Sequence, residues 1–174
     1  MEKIYVALKH LTFPAGLIRA MVEQSVCKNY KIEIDDNKPL RNDELASHIE
    51  HDFAQSALSA FAICFRPFFI CSILAFLVGI VPTISLLYFQ IFSFPTIAVQ
   101  IIALWLAVSL ATNCFPLVED AMNMWEKLYK QKSNILLKIV CFPGAVICYI
   151  GAYLEKYNVS IIMMFGIMIA IFMY

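Results

Sequence analysis

The sequence predicts an all-α polytopic membrane protein. It calls for about four transmembrane helices, preceded by an N-terminal amphipathic or re-entrant helix and a short β segment. Three observations carry this. The first is composition: of 174 residues, 61% are apolar and 15% charged, where a soluble domain has roughly 45–50% and about 25%. The second is the placement of charge. Residues 67–118 are 52 consecutive positions without Asp, Glu, Lys or Arg, and residues 139–154 and 157–174 are two more such runs. A spanning helix takes about 20 apolar residues, so the long run holds two spans and each short run one. The third is that basic residues group on alternate connections, the pattern of a chain threaded through a bilayer. The same arithmetic sets aside a disordered chain, a coiled coil and a disulfide scaffold. Nucleic-acid binding is also set aside, because 13 Lys and Arg against 13 Asp and Glu leave no basic footprint.

Residues 1–53 form the polar N-terminal segment, with seven basic and nine acidic residues. Lys9, His10 and Arg19 interrupt any apolar core that a cleaved signal would need, so export by that route is not expected. Residues 14–27 read as a helix. Pro14 sits where a helix start tolerates it, and Leu17, Ile18, Met21, Val22, Ser25 and Val26 recur at helical spacing. Arg19 and Glu23, four apart, share the other face. The segment is too short and polar for a confident span, and it is expected at the interface or tucked against the bundle. Next, Tyr30, Ile32 and Ile34 alternate with Lys31, Glu33 and Asp35, a short strand that runs into a D-D-N turn. The stretch 48–52, HIEHD, ends the polar segment.

Residues 54–174 form the membrane bundle. The spans are expected at about 67–89, 95–115, 136–154 and 158–174, with Pro82 kinking the first. Lys127, Lys130, Lys132 and Lys138 mark the connection between the second and third spans, on the side of the seven basic residues of the polar segment. Both termini are therefore expected in the cytoplasm. Of six cysteines, five lie in or beside spans, where Cys behaves as a small hydrophobe. No C-x-x-C spacing suggests a metal or redox site.

Three constellations could carry chemistry. His48, Glu50, His51 and Asp52 are potential metal ligands, since His and carboxylate suit zinc. Their plain alternative is a solvated approach to a membrane helix. Glu119 and Asp120 follow the apolar helix and the Phe115-Pro116 break. They are either functional near-membrane carboxylates or the acidic first turn of the next helix. Arg19 and Glu23 are either a weak exposed pair worth a few tenths of a kcal/mol or, shielded from water, a firm tie. The methionines Met163, Met164, Met168 and Met173 read as packing or lipid-facing residues.

Taken in order, these segments resemble the small site-2-protease-like membrane zincins, or metalloprotease family proteins. That family's pattern runs F-P-G-x-x-x-H-E-x-x-H-x-x-x-C, then a short β segment with a V-x-H-E stretch. A P-F-F membrane helix, an H-x-F-P-S-x-x-D-A segment and two further spans follow. Here the counterparts are FPAGLIRAMVEQSVC at 13–27, ASHIEHD at 46–52, RPFFICSILAFLVG at 66–79, SLATNCFPLVEDAMNMWE at 109–126 and ILLKIVCFP at 135–143. The motif's first His and its Glu fall on Arg19 and Ala20, its second His on Glu23, and the later His on Asn113. His51 and Asp120 match retained positions, and Cys27 and Pro116 structural ones. A zinc hydrolase needs three protein ligands, an open position and a carboxylate base. Ala20 cannot be that base, and Arg19 sets a permanent cation where a ligand belonged.

The resemblance thus implies a degenerate member, with Arg19, Glu23, His51, Asn113 and Asp120 as a polar cluster in place of the metal site and no cofactor. The leading expectation is a non-catalytic binding, sensor or anchoring module. It would sit in the lipid bilayer and engage a cytoplasmic protein partner or a second copy, as in a stress or antiviral-defence pair. The alternative is a metalloprotease with an altered zinc set of Glu23, His48, His51 and Asp120, Glu50 serving as base. A further alternative is a small channel or transporter, although the spans lack the paired charges and Gly-broken helices common at such sites.

Overall fold

The computed structural model describes residues 2–36, 38, 47–85, 94–131 and 133–157, with single helical positions at 159, 162, 166, 169 and 170. The chain is mostly helical. Helix α1 covers Glu2–Leu11 and α2 Phe13–Tyr30; a two-stranded sheet joins β1, Ile34–Asp36, to β2, Glu50–His51. Helices α3 (Ala57–Ile84), α4 (Phe94–Thr112), α5 (Val118–Trp125) and α6 (Ile135–Lys156) follow, α5 running into a π-helical turn at Glu126–Lys130.

Local chemistry sets these boundaries. Pro14 occupies the first turn of α2, where its missing N–H costs nothing. The helix stops at Lys31, which takes a left-handed conformation at φ 56°. The next N–H, of Ile32, then bonds back to the Cys27 carbonyl at 2.9 Å, a Schellman-type close. At the start of α3, Ser56 Oγ accepts from the Ser59 N–H at 3.1 Å, and Ser59 Oγ accepts from the Ser56 N–H at 3.2 Å. This reciprocal pair satisfies two donors that would otherwise be orphaned. β1 and β2 pair antiparallel, Ile34 opposite His51 and Asp36 opposite Glu50, with an irregularity between. Asp52 N–H extends the ladder to the Glu33 carbonyl at 3.0 Å.

α3 is the central post. Its first half packs on α2, α5 and α6, and its second half on α4. The contacts are made by small side chains: Ala20, Ala60, Cys64 and Cys148 in one cluster, Ala15, Cys71 and Cys114 in another. Gly144 receives the rings of Phe61 and Phe65, and Gly151 that of Phe115. Small residues at helix contacts and large apolar ones outside are the economy of a bundle packed in lipid. Phe76, Val81, Ile139 and Val140 all point outward, while Lys9, Arg19, Glu23 and Glu155 are buried.

Among the described residues two helices, α3 and α6, are long and apolar enough to cross a membrane; within α4 the shorter stretch Thr96–Thr112 is apolar. The expected spans differ from the helices in instructive ways. The first span, expected from residue 67, opens inside α3, which starts ten residues earlier at the Ser56 cap and runs through Arg66 and Pro67. The third agrees with α6 to within two residues at each end. The fourth, 158–174, falls largely outside the described residues. The strand expected from Tyr30 begins only at Ile34, since α2 runs on through Tyr30. Helix α1 was not expected at all.

Candidate functional site: a buried ionic network

The site forms where α2 passes the ends of α4 and α6. Gly16 on α2 makes room for it. A Cβ there would lie 2.5 Å from Ser47 Oγ, so the missing side chain lets residues 47–49 press onto the helix. That brings His48 against the next turn. Ser47 takes the left-handed conformation, at φ 75°, to turn the chain inward.

Arg19 and Glu23 face this segment with essentially no exposure. Arg19 Nε donates to Glu23 Oε1 at 2.9 Å, and Nη2 lies 2.8 Å from the same oxygen. Nη1 donates to the Asn113 main-chain carbonyl at 2.9 Å. His48 Nδ1 is 3.2 Å from Glu23 Oε1 and 3.3 Å from Arg19 Nε. With a proton, Nδ1 donates to the carboxylate; without one, it accepts from Arg19 Nε–H. Ile49 N–H donates to Glu23 Oε2 at 3.2 Å. The carboxylate thus holds two neighbours in the 47–49 segment and the guanidinium on its own helix.

Asn113, at the end of α4, joins this group to a second one. Its Oδ1 accepts from Lys9 Nζ at 2.9 Å, and its Nδ2 donates to Thr12 Oγ1 and the Ser109 carbonyl, each at 2.9 Å. Lys9 Nζ also pairs with Glu155 at the end of α6. Two cations, Lys9 and Arg19, therefore meet two anions, Glu23 and Glu155, with the neutral amide of Asn113 between the pairs. A network whose charges cancel can be buried without the large penalty of a lone ion, here with Arg19 Nη2, His48 Nε2 and Glu155 Oε2 left without a hydrogen bond.

The ionisation states follow. Glu23, bonded to the Arg19 guanidinium and the Ile49 N–H, is paired as a carboxylate, and Arg19 keeps its proton. Burial, then the Arg19 charge, push His48 below its ordinary value, so the ring is neutral at pH 7. Cys27, a turn beyond Glu23, is pushed up to about 12 by burial and the Glu23 charge, which makes it an inert thiol.

His51 and Asp120 stand apart. His51 Nε2 is 3.8 Å from Asp120 Oδ2, an electrostatic neighbour and too far for a hydrogen bond. Asp120 is in the first turn of α5. Burial raises its pKa to about 6, partly offset by His51 and reinforced by Glu23.

Of the five residues grouped from the sequence, the structure joins Arg19, Glu23 and Asn113 by direct bonds, and pairs His51 with Asp120 separately. His48, read plainly as part of a solvated approach, is instead enclosed. The sequence reading missed Lys9, Thr12 and Glu155. Lys9 is the cation buried among the apolar residues of α1, and Glu155 closes an otherwise apolar span; each was read as an interruption or a loop charge. Of the residues named for a zinc set, Glu23 and His48 touch each other and both contact Arg19 Nε, while His51 and Asp120 form the other pair. Among the described residues no three His, Cys, Asp or Glu side chains converge as a metal site.

Compared with protein-family models, curated proteins and solved structures, the chain gives no match.

Proposed function

We propose that this chain is a non-catalytic, multi-pass membrane protein, a binding or anchoring module for a cytoplasmic partner. It would be held in the membrane by α3 and α6, with the polar N-terminal segment and the connection at 127–138 on the cytoplasmic side; Lys9, which bonds at the C-terminal ends of both α4 and α6, does not fit four full crossings. The observation that carries the reading is the enclosed Arg19. A fixed cation sits among Glu23, His48 and the Asn113 carbonyl, at the place the zincin resemblance reserves for a metal ligand and its neighbours. Arginine does not give up its proton, so the group repels a divalent ion and ties up the Glu23 carboxylate beside it. Ala20 adds no carboxylate. What stays is a rigid polar core that fixes how the N-terminal segment sits on the bundle, the arrangement an anchoring protein uses.

Elemental analysis of the protein purified in mild detergent tests the absence of metal chemistry. Well under one zinc per chain is expected. One zinc per chain that disappears in His51→Ala would overturn the reading and favour a metalloprotease built on His51 and Asp120. Impermeant labelling of single cysteines at Asp35 and Lys130 in oriented vesicles tests the topology, and opposite sides for these two would refute it.

A further inference from the structure

Helix α2 is inside out. On the face turned to the protein, Arg19 and Glu23 are 0% and 1% exposed. On the opposite face Phe13, Leu17 and Met21, spaced four apart, are 44%, 37% and 70% exposed. A helix lying on a soluble core, or in the plane of a membrane surface, shows its charges to water and its apolar stripe to the interior. Here both are reversed. The outer face also changes character along its length. Its first half carries Phe13, Leu17 and Met21, and its last turns carry Ser25, Lys28 and Asn29, all exposed. Leu11, just before the helix, is exposed as well.

We infer that the outer face of the first half of α2 contacts lipid acyl chains, so that α2 enters the bilayer N-terminus first and leaves it near Ser25–Lys28. Two observations make lipid the occupant. Near its N-terminal end, α2 packs through Ala15 on Cys71 of α3 and Leu110 of α4. Its apolar stripe thereby lies at the level of two apolar helices whose own outer residues, Phe76 and Ile102 among them, are exposed. The buried network supplies the second. Ions enclosed on one side of a helix with apolar residues opposite are what hydrocarbon surroundings demand, and the charge cancellation on the inner face makes entry affordable. The inference rests on the membrane reading above and adds a helix to the embedded set.

Photocrosslinking in vesicles of phosphatidylethanolamine and phosphatidylglycerol tests it. Benzoylphenylalanine replaces Met21, Leu17 or, as a reference on α3, Phe76, one at a time in the full chain. Irradiation is expected to add the mass of one phospholipid at all three positions. A lipid adduct at Phe76 with none at Leu17 or Met21 would refute the inference about α2 alone. A chain-to-chain adduct at Leu17 or Met21 would refute it in favour of a second copy on this face. The absence of lipid adducts at all three would refute the membrane reading itself.

Discussion

Removing the Arg19 side chain is the sharpest perturbation of the network. In Arg19→Ala the Glu23 carboxylate keeps its burial, at 1% exposed, and loses the cation whose Nε and Nη2 lie 2.9 and 2.8 Å from Oε1. Leaving one partner of a buried pair uncompensated costs about 3–5 kcal/mol. The Asn113 carbonyl also loses its Nη1 donor, for about 1 kcal/mol more. Arg19→Ala should therefore lower stability by about 4–6 kcal/mol, a large share of a small protein's total. The exposed control Lys130→Ala should change it by less than about 0.5 kcal/mol. Adding Glu23→Ala should recover part of the loss, because the stranded charge is gone. It should not recover all, since Ile49 N–H and His48 lose their acceptor. Melting curves in mild detergent read all of this. A variant that melts with wild type would refute an enclosed ion pair.

Further outcomes follow from other contacts. Asp120 has its pKa raised from 3.8 to about 6, so folding disfavours its ionised form. That cost is present above about pH 6 and gone below about pH 4, and Asp120→Asn should raise the melting temperature at pH 7.5, with an upper bound of about 3 kcal/mol, but not at pH 4. Gly151→Ala would drive a Cβ into the Phe115 ring and should cost about 1–3 kcal/mol by overpacking, with Gly166→Ala as the neutral reference in the same melts. Ser56→Ala removes the acceptor for the Ser59 N–H and should cost about 1 kcal/mol, read as the loss of a melting increment without change in helicity at low temperature.

The sequence made some of this legible and hid the rest for identifiable reasons. Charge gaps located α3, α4 and α6 because excluding ions from hydrocarbon is a one-dimensional constraint. They mark the uncharged stretch and not the helix: α3 begins ten residues before its gap, at the Ser56 cap, and carries Arg66 with its guanidinium over the Tyr30 ring. The Arg19–Glu23 pairing was visible because its members are four apart on one helix. Lys9 and Glu155 were invisible as partners: nothing local links two positions separated by most of the chain. Of the two histidines in HIEHD the resemblance favours His51, yet His48 is the one that joins Arg19 and Glu23. What separates them is the inward turn at Ser47 over Gly16, a backbone event with no clear mark in the residue pattern.

The Lys9–Glu155 contact also bears on how the protein is made. Its two partners lie 146 positions apart, and Asn113, which both pairs touch, is 104 positions from Lys9. During synthesis α1 and α2 leave the ribosome first, carrying two cations whose acceptors at Asn113 and Glu155 do not yet exist. Arg19 has Glu23 from the outset, but Lys9 must wait in a hydrated setting for the last turn of α6. The Lys9–Glu155 contact of α1 is thus made only when the chain has been extended past Glu155. Chains stopped before that point would be released with their first helix unsecured and would present it to the cell's quality control.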